Sequence, residues 1–320
     1  MTHLDKNPFF DRIKESKNVL LAGAGGGFDI YSGIPIYQNL INSGKNVVLA
    51  NYSFTLLEET TSEEVFPNCY KVRMGDSDKS GRNYFPEKYL CSFLGSKGAY
   101  ITVYGLSRVG VQPTRDTYNY IIKEHDIDTV ILVDGGTDSL MFGDEEGLGT
   151  PQEDICSMAA AHRTGVKNQI LLSIGFGVDH YHGVSHYRFL ENISELTREG
   201  GYLGVFHLLP DMEEAILLEE LVEYANIVMR GRESIVANSI VSAVQGNYGD
   251  FHRTKRTKGS ELWINPLMSM YWAFDLHKVI RKIKYYDEIK ASKTIGEFNM
   301  GLSSYRQNIK KTREKKNIPI

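Results

Sequence analysis

The chain has 320 residues, 42% hydrophobic and 24% charged, a soluble globular composition with apolar content for one large core or two modest ones. A net charge of −4 gives no general pull toward nucleic acid or anionic lipid. Cys69, Cys91 and Cys156 form no C-x-x-C pair, so neither a disulfide framework nor a cysteine-zinc site is expected, and a reducing cytoplasm fits.

The first residues, MTHLDKNPFFDRIKESK, are polar where a signal peptide needs an apolar core, and no apolar run approaches a membrane span. Export and insertion are therefore not expected. Asn18 to Ala22 reads as a first strand, GAGGGFD from Gly23 to Asp29 as the loop at its carboxyl end, Ile34 to Ile41 as a helix closed by Gly44, and Val47 to Ala50 as a second strand. Such a βαβ unit puts the glycine loop where open α/β sheets bind ligands. Gly23, Gly25, Gly26, Gly27 and Asp29 are thus candidate ligand-binding residues.

A dinucleotide fingerprint is the obvious reading of that loop, and it fails in three places. Phe28 stands where a small residue lets helix and strand approach. Ala50-Asn51-Tyr52 lacks the acid that would hold a ribose. Asp29 lies where a pyrophosphate would sit and would repel it unless a metal bridged them. NAD(P) is the lesser alternative, and Asp29 is also a candidate metal ligand.

Residues 51–98 give no clear elements. A strand from Tyr100 to Tyr104 leads to a loop whose Arg108 and Arg115 read as solvated arginines or, more sharply, as contacts for an anionic substrate, and Thr114 is expected to cap a helix through His125. Val130 to Val133 has the β-branched character of a strand covered on both faces. Asp134 ends it, Gly135 and Gly136 follow, and Asp138, Asp144, Glu145 and Glu146 crowd the next residues. Such a cluster is tolerated in water, partly protonated, or around a cation. Thr150-Pro151-Gln152-Glu153 reads as a capping box, which makes Glu153 structural.

Gln169 to Ile174 is the next strand, and the loop beyond it holds Asp179, His180, His182 and His186. His180 and His182, with Asp179 or His186, form a set that zinc or manganese accepts. A strand from Gly204 to Leu208 and helices Met212 to Met229 and Ser234 to Val244 follow. The basic segment 251–258 reads as a mobile loop, or more sharply as a lid over a phosphate. Leu262 to Asn265 reads as an edge strand, Pro266 as the start of a helix carrying Met270, Phe274 and Val279, and the run from Lys310 as a solvated tail. Without a repeat or a linker, residues 1–320 are expected to form a single α/β domain. Its sheet core spans about 15–210 and its mainly helical C-terminal part about 211–320.

Two stretches, LLAGAGGGFDIYSGIPIYQNLINSGKNVVLANYSFT and VDGGTDSLMFGDEEGLGTPQED, resemble blocks of the family called domain of unknown function 1152. The likeness rests on Gly23, Gly25, Gly26, Gly27 and Asp29, and on Asp134, Gly135, Gly136, Asp138, Gly143, Glu145 and Pro151. Gly175 to Asp179 is similar to a third block. The resemblance implies a Rossmann-like α/β fold, mostly parallel with helices on both faces, and supplies no reaction.

The residues themselves suggest a metal-dependent hydrolase or transferase acting on a small molecule such as a nucleoside, nucleotide or sugar phosphate. Asp134, Asp138 and Asp179 are the candidate catalytic residues. Asp29, Asp138, Glu145, His180 and His182 are the candidate ligands of a divalent metal, with Gly135, Gly136 and Arg108 added to the ligand-binding set. The rivals are an NAD(P)-dependent oxidoreductase and a non-catalytic nucleotide-binding sensor acting through a homo-oligomer.

Overall fold

A computed structural model describes residues 3–319. Its strands are β1 (Asn18–Gly23), β2 (Asn46–Tyr52), β3 (Glu63–Phe66), β4 (Cys69–Val72), β5 (Val103–Leu106), β6 (Thr129–Gly135), β7 (Asn168–Ile174), β8 (Tyr202–His207), β9 (Gly249–Asp250), β10 (Trp263–Ile264) and β11 (Met270–Asp275). All but the β9–β10 pair join one sheet of order β3-β4-β5-β2-β1-β6-β7-β11-β8. The run from β5 to β7 is parallel. The flanking strands add antiparallel edges. Chain direction through the parallel strands turns between β1 and β6, so the loops leaving those two strands diverge and open a crevice at the carboxyl edge.

Every residue of β6 is buried because helices cover both sheet faces. The period of two sorts neighbours into opposite cores. Leu20, Leu132 and Leu171 pack with Tyr118, Ile155 and Met158 of the helices Val111–Glu124 and Pro151–His162. Val19, Ile131 and Leu172 pack with Ile34, Leu218 and Ile240 of the helices Ile34–Asn42, Glu213–Val228 and Ile235–Val244. Among the described residues no helix is long and apolar enough to cross a membrane.

Several expectations need correction. Thr114 lies inside the helix Val111–Glu124, where its hydroxyl donates to the Gly110 carbonyl, and does not cap it. The unread stretch 51–98 contains β3, β4 and the helix Pro86–Ser96. The helix expected from Pro266 is one 3₁₀ turn followed by β11, an interior strand of the sheet, so the C-terminal part is not purely helical. Tyr271 and Ala273 join one core while Phe274 joins the other, so the segment runs on a two-residue period that Met270 and Phe274 also satisfy. The basic segment 251–258 is tied down, since Arg253 pairs with Glu219 and Glu223. The tail is not a free charge run. Arg313 pairs with Asp144, Glu145 and Glu191, and the Glu314 and Lys316 carbonyls accept bonds from Arg188 and Ser185.

Candidate functional site

Gly23 closes β1 where an added Cβ would lie 2.7 Å from the Ile30 backbone nitrogen, so the following helix sits directly on the strand. Gly26 and Gly27 take left-handed backbone angles (φ +90° and +62°) that turn the chain across the sheet edge. The Gly25 N–H donates to Asp29 Oδ2 at 2.6 Å. At the end of β2, Asn51 donates to the Gly27 carbonyl (2.9 Å) and to Glu87 Oε1 (2.7 Å), holding the glycine loop from behind.

The segment after β6 is shaped by its own carboxylates. The Ser139 hydroxyl donates to Asp134 Oδ2. The backbone N–H and hydroxyl of Thr150 donate to Asp138 Oδ2 at 2.8 and 3.1 Å. The expected capping box therefore does not form. Thr150 serves Asp138 instead of its own helix, and Glu153 pairs with Arg108. After β7, Asp179 Oδ2 accepts from the Thr137 N–H (2.6 Å) and hydroxyl (3.3 Å).

Asp154, in the first turn of the helix Pro151–His162, completes the cluster. It is 3% exposed, and its Oδ1 has no hydrogen-bond partner among the described residues. It faces Gly25, where any side chain would collide with its carboxylate. Carboxylate oxygens of Asp29, Asp134 and Asp154 lie within 4.8 Å of one another.

Such crowding raises each acid. Burial, aided by the charges of Asp138 and Glu153 and opposed by the Gly25 and Gly135 amides, pushes Asp29 up to about 8. Burial and then the neighbouring aspartates push Asp134, Asp154 and Asp179 well above the ordinary range. Asp138 rises by burial, restrained by Thr150. The five carboxylates line a cavity of about 680 Å³, within the size range of small-molecule sites. Exposed Arg82, Arg232, Arg256 and His182, with half-buried Tyr84 and the ring of Phe54, line its outer part.

Of the residues singled out from sequence, Gly25, Gly26, Gly27, Asp29, Asp134, Gly135, Asp138, Asp179 and His182 line this cavity. Gly136 lies beside it, its Cα facing oxygens of Asp179 and Asp134. Three others are placed apart. Arg108 lies over the Phe54 ring (5.1 Å) and is held by Glu153. Glu145 is fully buried and bonded to the Phe142 and Gly143 amides, Asn192 and Arg313, so no oxygen is left for a metal. His180 is exposed against His186 (ring centroids 5.3 Å apart). Val178–His182 is a 3₁₀ turn, and residues two apart diverge on such a turn, which separates His180 from His182.

Asp154 escaped sequence reasoning because TPQED looked fully explained as a helix start. Its available signal was an acid one turn into a helix that follows an acidic loop. Arg82, Arg232 and Arg256 come from three separate connections; Arg256 belongs to the basic segment 251–258 read as a loop or a lid over a phosphate, whereas Arg82 and Arg232 carry no local pattern.

Among curated proteins and among solved structures, no similar chain is found. A family model described as a protein of unknown function, DUF1152, matches residues 71–309, which includes the β6 and β7 loops and leaves the β1 glycine loop outside. This chain belongs to the DUF1152 family.

Proposed function

We propose that the protein is a divalent-cation-dependent hydrolase or transferase whose cation is held by Asp29, Asp134 and Asp154. The observation that carries this reading is the buried Asp154 carboxylate, whose Oδ1 has no partner among the described residues and which lies close to two further carboxylates. An ionised carboxylate in that setting costs several kcal/mol unless a cation compensates it. An all-oxygen set suits magnesium or manganese better than a soft metal. When bound, such a cation supplies Lewis-acid activation of a water or hydroxyl and of the group under attack.

The chain's own residues supply the rest. Asp138, oriented through one oxygen by Thr150, keeps its other oxygen for accepting a proton from the nucleophile. Asp179, oriented by Thr137, stands close enough to Asp138 for the charge of Asp138 to add to burial in raising it. A nicotinamide cofactor is supported less well, because the Gly25 amide that would meet a pyrophosphate is taken by Asp29. Elemental analysis after equilibrium dialysis against manganese tests the proposal. One bound ion per chain is expected, lost in an Asp29→Asn, Asp134→Asn double variant; substoichiometric manganese on the wild-type chain would refute it.

A further inference from the structure

We infer that Arg82, Arg232 and Arg256 form a clamp for a phosphoryl group, so that the substrate is a phosphate ester or anhydride whose phosphate spans the arginines and the aspartates. This rests on the cation reading of the same site.

The three arginines leave three different loops and line one cavity. Among the described residues none is in an ion pair, although Arg253, three residues before Arg256, pairs with two glutamates. Arg256 Nη1 donates to the Glu233 carbonyl, which fixes its guanidinium next to the residue that follows Arg232. Tyr84 lines the same cavity, where burial and the charges of Glu87 and Asp29 push its phenol up and the positive charges of Arg256 and Arg232 oppose them.

Three cations and five carboxylates thus share a cavity without neutralising each other directly. Like charges gathered on each side repel, and a ligand that is anionic toward the arginines relieves one side while a cation relieves the other. A carboxylate offers two oxygens and one charge, which a single arginine satisfies. A phosphoryl group offers three terminal oxygens and about −1.5 to −2 charges, which matches several guanidinium forks and leaves an oxygen for the cation.

The test uses the full chain with magnesium and inorganic phosphate as the probe, followed by ³¹P NMR titration, with Arg82→Gln and an Arg232→Gln, Arg256→Gln double variant. These side chains are exposed, so unchanged melting curves are expected. Phosphate should bind the wild-type chain, and each variant should bind it about tenfold or more weakly while retaining its manganese affinity. Acetate at equal concentration should not displace it. Absence of phosphate binding, equal binding in the variants, or displacement by acetate would overturn the clamp. If manganese fails to bind the wild-type chain, the cation reading falls by itself. The same titration at low salt without cation then decides the clamp: loss in the variants sustains it, and no loss sinks it.

Discussion

Asp154→Asn should invert the stability order of the protein depending on whether a divalent cation is present. In EDTA near neutral pH, the wild-type chain keeps a buried carboxyl with an unpartnered oxygen beside Asp29 and Asp134. An unsatisfied buried polar group costs about 1–3 kcal/mol, and more when charged. The asparagine amide can donate to oxygens within 4.8 Å, so the variant should gain about 2 kcal/mol. For a chain of this length that raises the melting temperature by about 3 °C. With cation at about a thousand times its dissociation constant, the wild-type chain gains about 4 kcal/mol, whereas the variant lacks one of three ligands and should gain about 1 or less. Thermal melts in EDTA and in excess manganese read both quantities. A variant that is less stable in EDTA yet equally stabilised by manganese would refute the assignment of Asp154 as a ligand.

Stability without cation should depend on pH in a definite direction. Asp29, raised from 3.8 to about 8, holds a proton in the folded state that the unfolded chain has released, so its contribution falls as pH rises toward 8. His162, lowered to about 4, acts oppositely only below its unfolded value, so the window to examine runs from about pH 6.5 to 8. Urea unfolding in EDTA should lose up to about 1.4 kcal/mol per pH unit for each proton held, and excess magnesium should flatten the slope; a rising slope without cation would contradict the clustered carboxylates. Arg313→Ala should cost about 3 kcal/mol in urea unfolding, because it leaves Glu145 fully buried without its cation, and a loss under about 1 would show that the tail contributes little.

The strands β1, β2, β6 and β7 were legible because each is a short buried run of apolar residues that ends in glycine or asparagine at the carboxyl edge. Their loops could be placed on one side of the sheet from that alone, and Asp29, Asp134 and Asp179 do stand there. What composition could not show was which acids answer to which partners. Asp138 turns into the cavity, whereas Asp144 and Glu145, six and seven residues later, are taken by Arg313 from the far end of the chain. That pairing spans 169 residues and leaves no local trace. β11 was misread for a different reason. In a short apolar run, spacings of two and four coincide at every second residue, so helix and strand give the same pattern, and the facing strands β7 and β8 decide between them.

The place of β11 between β7 and β8 also bears on how the chain is made. Among the described residues β8 pairs with no strand other than β11, and 62 residues lie between His207 and Met270. At a synthesis rate of about 5–20 residues per second, the outer edge of β7 stays bare and β8 partnerless for roughly 3 to 12 seconds. Unpaired strand edges of this kind recruit other chains, so this interval is when the nascent protein is most open to aggregation and to chaperone binding. The aspartates of the cavity all precede residue 180, so the ligands of the proposed cation are synthesised before the last interior strand of the sheet.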